Sequence, residues 1–283
     1  MRKRPLIDYV SDETWNKHCS VNYEYLTSYP SAKQFYKISV VTTCMNRLDD
    51  LKKTYLRNIE SNVDYPNIEF VLLNYNSRDD LDTWVMKNLM KYQESHIFHY
   101  YKTEDPFWYS MAHSRNIAFK LATGDIVTSI DADHYIKPGF IAHLNTMANF
   151  LGENSVLVKS RQKNRGRITM FKNTFLKLGG YDEQLCDYGW EDMDLLCRAH
   201  KSGCRVVKYG GEWGGVIEDH KRHQNNTYKD DDWRYTQDRN TAISLFNLHS
   251  KRLVANRGSK WGHATVTKDF SGDEFDSCEL SGQ

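Results

Sequence analysis

Two carboxylates, one residue apart, close an apolar run in this chain. Ile126, Val127, Thr128, Ser129 and Ile130 read as the end of a buried strand, and Asp131-Ala132-Asp133 follows at once. Charges gathered at a strand end are costly unless a cation offsets them, and hard divalent cations take carboxylate oxygens. A cation held there can in turn hold a diphosphate. The tripeptide alone is equally consistent with a solvated turn, so its surroundings decide. One earlier strand ends in Thr42-Thr43-Cys44-Met45-Asn46-Arg47, and the next in Asn74-Tyr75-Asn76. Thr43, Asn46, Arg47, Asn74 and Asn76 carry hydrogen-bonding groups suited to a base and a ribose. Arg115 falls near the same edge and is of the type that pairs with phosphate.

A second constellation lies further on. Glu191, Asp192 and Asp194 crowd the first turn of a helix. Acids favour that turn through the helix dipole alone. The preceding Tyr188-Gly189-Trp190 argues for more, because an exposed aromatic beside carboxylates makes a platform for a sugar ring. An aspartate at a helix N-terminus is also placed to take a proton from a hydroxyl. His220 and His223 follow a Gly-rich stretch, residues 210–215, that reads as a mobile loop. Either imidazole suits a metal of the Mn²⁺ class. His113 and His134 neighbour the motifs without a required job and read as supporting neighbours of the site or as background.

The elements that must position these groups alternate. Strands are expected over 37–43, 68–74, 96–102 and 125–131, with helices over 48–62, 79–92 and 110–122 between them. Continuous apolar strands alternating with helices imply a mostly parallel sheet covered on both faces, an α/β fold. In open sheets of this kind, ligands bind beyond the carboxyl ends of the strands. The second half is less regular. Strands are expected over 155–160, 165–171 and 204–210, with helices over 191–203 and 232–249. The tail from about Lys251 is polar and is expected to be partly disordered.

Three ordered segments, "VVTTCMNR", "HSRNIAFKLATGDIVTSIDADHYIKPGF" and "GGYDEQLCDYGWEDMDLLCRAHKSG", resemble the GT-A-fold glycosyltransferases. They look most like the family 2 class, with a second half similar to the galactosyltransferase C-terminal type. The resemblance spans about residues 37 to 225. It implies a GT-A (Rossmann-like) sheet whose Asp-x-Asp motif binds Mn²⁺ (or Mg²⁺) and a nucleotide sugar. Asp131 would contact the ribose side and the metal shell, and Asp133 would be a direct ligand. A late histidine completes such sites, which favours His220, with His223 competing. The family's Gly-Trp-x-x-Glu-Asp block is shortened here to Gly189-Trp190-Glu191-Asp192. It implies that Trp190 lines the sugar sites, Glu191 holds the acceptor and Asp192 is the base. The implied reaction is metal-dependent, inverting transfer from a UDP-sugar to a hydroxyl of a glycan or other acceptor. Residues 1–36 are then an extension, 37–160 the donor half, 161–250 the acceptor half and 251–283 the polar tail.

A nucleotidyltransferase also uses paired aspartates, but normally opens with a Gly-rich loop bearing Arg and Lys; "VVTTCMNRLDDL" has no glycine. A non-catalytic glycan-binding module on the same fold would have little use for intact Asp131, Asp133, Glu191, Asp192 and His220. The totals narrow the class further. The chain has 283 residues, 40% of them hydrophobic, enough for one large domain or two intimate halves. A net charge of +1 gives no footprint for nucleic acid. The six cysteines are scattered with no Cys-x-x-Cys pair, which reads as reduced thiols in the cytoplasm. No run approaches the ~20 apolar residues of a membrane-spanning helix.

Overall fold

The computed structural model describes residues 21–25, 31–159, 167–210, 212–217, 228–230 and 232–279. In chain order the elements are β1 (Tyr23–Tyr25), β2 (Ile38–Cys44), α1 (Leu48–Glu60), β3 (Ile68–Tyr75), α2 (Leu81–Asn88), α3 (Met90–Gln93), β4 (Phe98–Thr103), α4 (Met111–Leu121), β5 (Ile126–Ser129) and β6 (His134–Ile136). There follow α5 (Phe140–Leu151), β7 (Ser155–Lys159), β8 (Ile168–Phe171), α6 (Lys172–Lys177), α7 (Glu191–Lys201), β9 (Arg205–Tyr209), β10 (Gly214–Val216), α8 (Trp233–His249), β11 (Thr265–Lys268) and β12 (Glu274–Asp276).

Ten of these strands form one sheet in the order β1-β9-β7-β8-β5-β2-β3-β4-β11-β12. The centre, β5-β2-β3-β4, is parallel, and β8 runs antiparallel between β7 and β5. Strand β3 is buried along its whole length, as a strand covered on both faces must be. On one face Val40, Phe70 and Leu72 pack with Leu51, Tyr55 and Ile59 of α1 and with Ile141 and Leu144 of α5. On the other, Val41, Val71 and Leu73 pack with Ile117 and Phe119 of α4 and Leu195 of α7. The mixed α/β fold with a mostly parallel core is the one the sequence pattern implies.

Several expectations are corrected. The helix expected over 79–92 breaks at Leu89 into α2 and α3. The stretch after Pro138 carries a 12-residue helix, α5, that the pattern did not announce. The polar tail is not disordered over residues 251–279. Strand β11 pairs with β4 and then with β12, and Ala264 and Val266 are fully buried. Part of the supposed mobile loop is also a strand, since β10 pairs with β6. A side chain on Gly214, at φ +136, would collide with the Tyr135 carbonyl, so only glycine permits that pairing.

Candidate active site and metal centre

The Asp-x-Asp turn sits where β5 ends and is pinned along its backbone. The Ile130 amide donates to the Val41 carbonyl at 2.9 Å. Thr42 Oγ1 donates to the Ile130 carbonyl (2.8 Å), Thr54 Oγ1 to that of Ala132 (2.6 Å) and Asn58 Nδ2 to that of His134 (2.9 Å). The Ile217 amide, just past β10, donates to the Asp133 carbonyl at 2.9 Å. Neighbours on both sides thus fix this loop before any ligand arrives.

On that frame Asp131, Asp133 and His134 offer ligand atoms within 4.8 Å of one another. His134 Nδ1 is 3.8 Å from Asp131 Oδ2, and His134 Nε2 is 3.7 Å from Asp133 Oδ1. Two carboxylates and an imidazole are a donor set that suits Mn²⁺ and similar cations, so the residues present fit the implied metal. The sequence pattern had His134 only as a supporting neighbour of the site or as background, not as a ligand. The available signal was its position next to Asp133 in Asp-Ala-Asp-His, which places a third donor on the same turn.

The second constellation meets the first through Arg115. This residue of α4 is buried, its Nη2 donating to Asp131 Oδ1 at 2.9 Å and its Nη1 to Glu191 Oε1 at 2.5 Å. Burial disfavours its charge, but those two carboxylates hold the guanidinium well above its ordinary value. Arg115 therefore ties β5 to the start of α7, and two of its nitrogens are already engaged by carboxylates. Burial pushes the Glu191 carboxyl up to about 7 against the pull of Arg115, with the adjacent Asp192 adding to the rise.

The three acids of the first turn of α7 separate by surroundings. Asp194 is fully buried, accepting from Arg198 Nε (2.6 Å) and Ser244 Oγ (2.7 Å), and anchors the helix. Glu191 faces Arg115. Asp192 is half-buried, and its carboxylate accepts from the Met193 amide at 2.7 Å. Of the three it is the one with solvent access, which a proton acceptor for an incoming hydroxyl needs.

Trp190 departs from expectation. It is 8% exposed rather than an open platform, and it packs with Cys197 and Leu248. It caps α7 with φ +75, a strained left-handed conformation for a bulky residue, and the preceding Gly189 is at φ +94. That turn carries the indole into the α7–α8 contact.

The remaining polar residues divide. Thr43 Oγ1 lies 2.8 Å from the Tyr109 hydroxyl. Arg47 donates to Asp50 at 2.6 Å and approaches Asp133 to 3.7 Å. Asn46, at φ +57, accepts the Arg78 amide at 2.8 Å and so laces the loops after β2 and β3 together. Asn74 is buried, with its amide donating to Asp82 and Tyr100, both at 2.8 Å. Asn76 donates to the Pro106 carbonyl at 2.9 Å. The structure thus gathers Thr43, Arg47, Arg115, Asp131, Asp133 and Glu191 at the strand ends, while Asn46, Asn74 and Asn76 make bonds that shape the loops. His220 and His223 lie outside the described residues.

A mostly parallel sheet with acidic groups at its carboxyl edge defines an α/β fold of the GT-A (Rossmann-like) kind, and comparison with known proteins agrees. The profile of glycosyl transferase family 2 matches residues 39–198, more than half of the chain, and the chain belongs to that family. It is a glycosyltransferase, which excludes the nucleotidyltransferase alternative. The matched region stops at residue 198 and carries nothing on the galactosyltransferase likeness of the second half. Among solved structures, the fold is similar to that of the mannosyltransferase PcManGT from Pyrobaculum calidifontis, in complex with GDP-Man and Mn²⁺. The TM-score is 0.57 at 16% identity, over 90% of this chain and 73% of that one. It is also similar to S. aureus TarS 1–349 (TM-score 0.52, 17% identity, 76% of this chain and 72% of that one). GalNAc-T7 with UDP, GalNAc and Mn²⁺ gives 0.51 at 13% identity, over 62% of this chain and 44% of that one. At these identities the likeness is one of fold. No protein of curated function matches the sequence. Among the described residues, no helix is long and apolar enough to cross a membrane, and the five cysteines are free thiols.

Proposed function

We propose that the chain transfers a sugar from a nucleoside diphosphate sugar, a UDP-sugar, to a hydroxyl of a glycan or similar acceptor, with inversion and with a bound divalent cation. The observation that carries this reading is the single ion network joining the Asp131-Asp133-His134 cluster, through Arg115, to Glu191 beside Asp192. It couples a cation-type site to a solvent-reachable base at the carboxyl edge of one sheet. The GDP-Man and UDP complexes of the structural neighbours, both with Mn²⁺, support a nucleotide-bound donor and a manganese-class ion.

In this reading Asp131, Asp133 and His134 hold Mn²⁺ or Mg²⁺. His220 is proposed as a further ligand, because it follows by three residues Ile217, whose amide is bonded to Asp133. When bound, the cation offsets the charge that builds on the departing diphosphate. Thr43, Arg47 and Asp131 face the nucleoside, with Asn46, Asn74 and Asn76 holding the loops that present them. Arg115 fixes Asp131 and Glu191 at a set separation. Glu191 orients the acceptor, Trp190 sets the angle at which α7 enters the site, and Asp192 takes the proton as the hydroxyl attacks the anomeric carbon. A single positioned base, with no second carboxylate assigned as nucleophile among the described residues, favours inversion. Residues 37–160 supply most of the donor site and 161–250 most of the acceptor site, and free thiols suit a reducing compartment such as the cytoplasm.

The test is hydrolysis of UDP-sugars with and without Mn²⁺, followed by the anomeric configuration of the transferred product. Turnover that is indifferent to chelation removes the metal from the reading, and retained configuration removes Asp192 as a simple base.

A further inference from the structure

A third arginine at this edge has no carboxylate beside it among the described residues. Arg167 immediately precedes β8. The register of β8 on β5 pairs Thr169 with Thr128 and Met170 with Val127. Two residues back along that ladder, Arg167 falls opposite Ile130, the residue before Asp131. Its side chain is fully buried. The guanidinium carbon lies 5.9 Å from the centre of the Phe140 ring, and Nη2 reaches the Gly215 carbonyl only at 3.5 Å. Gly215 belongs to β10, whose partner β6 begins directly after Asp133. Among the described residues, Nε and Nη1 have no hydrogen-bond partner.

The other two arginines of the edge differ. Arg115 bridges Asp131 and Glu191, and Arg47 holds Asp50 while approaching Asp133. No acidic side chain among the described residues comes within ion-pair distance of Arg167. Asp131 and Asp133 favour its charge only from further off, and burial pushes the guanidinium down. Leaving a buried guanidinium uncompensated is strongly unfavourable, and the planar fork is built for oxyanions. Such a group is retained where an anion from outside the chain completes it.

We infer that Arg167 binds an anionic group that the donor carries beyond its first phosphate: the second phosphate, or a carboxylate on the transferred sugar. Both offer the paired oxygens that a guanidinium fork takes. The inference rests on the donor being a nucleoside diphosphate sugar, as proposed above. It also reassigns the phosphate role that the sequence suggested for Arg115.

The experiment is isothermal titration with Mn²⁺ present, using UDP against UMP, GDP against GMP, and UDP-glucuronate against UDP-glucose, on wild type, Arg167→Met and Arg167→Lys. Wild type should prefer the diphosphate or the glucuronate. Arg167→Met should reduce that preference by about ten- to a hundredfold, the worth of a charge-assisted hydrogen bond. Arg167→Lys, which keeps the charge without the fork, should lose less. Loss in the diphosphate pairs assigns the second phosphate, and loss only in the glucuronate pair assigns a sugar carboxylate. Because the guanidinium has no carboxylate partner among the described residues, Arg167→Met should melt no lower than wild type. Wild-type preferences retained in both variants overturn the inference alone. Wild type that binds no nucleotide in any pair overturns the reading of the site and this inference with it.

Discussion

Buried carboxylates occur at both ends of the parallel strands, and the two ends treat them differently. At the amino end, Glu69 of β3 is fully buried. It accepts from Ser39 Oγ (2.6 Å), the Thr123 amide (2.6 Å) and Thr123 Oγ1 (2.5 Å), with Lys37 at 3.0 Å. Burial alone would raise its carboxyl, but those bonds bring it below the ordinary value. At the carboxyl end, Glu191 is as deeply buried and is pushed up instead. The first carboxylate is satisfied by short, fixed donors and serves to join strands. The second shares one arginine with Asp131 and sits beside another acid. Burial is common to both, so completeness of partners, and not depth, separates a carboxyl held below its ordinary value from one pushed above it.

Four measurements would break or sharpen that contrast. The largest effect is expected at the carboxyl end, where Asp133→Ala should abolish Mn²⁺-dependent nucleotide binding without lowering the melting temperature. Native affinity in a Mn²⁺ titration would remove Asp133 from the metal centre. Next, Asp192→Asn should cut turnover by about 10²–10⁴-fold, the usual worth of general-base assistance, with the donor Michaelis constant unchanged. Near-native turnover would pass the base to Glu191, since Asp194 is held by Arg198 and Ser244. At the amino end the signature should invert. Glu69→Gln should cost about 2–4 kcal/mol in denaturant unfolding and leave turnover per folded molecule as it was.

The smallest effect is a difference of pH slope. Glu69, with its folded value below 4.5, adds stability above that pH and loses it as pH falls through the lower folded value. Glu191, raised from 4.5 to about 7, acts in the opposite sense: the folded chain keeps a proton that the unfolded chain gives up, so stability declines as pH rises between them. Unfolding free energies at pH 5 and pH 7.5 should show Glu191→Gln removing part of that decline. An unaltered slope would mean that Glu191 stays ionised in the fold.

Much of this was legible from local pattern. The central strands were readable because β-branched, continuous apolar runs leave few alternatives, and the Asp-x-Asp turn stood at the end of one. The link from Arg115 to Asp131 and Glu191 was not, since it joins residues 16 and 76 positions apart. Arg115 was placed at the right edge, but its two carboxylate partners were not foreseen. Trp190 was misread because nothing local announces a left-handed tryptophan, and its φ decides whether the ring faces solvent or α8. Strand β11 was missed because a four-residue polar strand has no periodicity until β4 supplies its register.

The rims of the large sheet have a further consequence. Both outermost strands, β1 and β12, are three residues long, and they carry Glu24 at one rim and Glu274 and Asp276 at the other. Exposed strand edges are templates on which a second chain can add, and short, charged edges blunt that tendency. Cutting the chain after Arg252 would remove β11 and β12 and bare the six residues of β4 with their unpaired backbone groups. Such a truncated chain is expected to self-associate into sheet-paired aggregates while its Asp-x-Asp turn stays in place. The polar tail would then govern the protein's behaviour at high concentration rather than its chemistry.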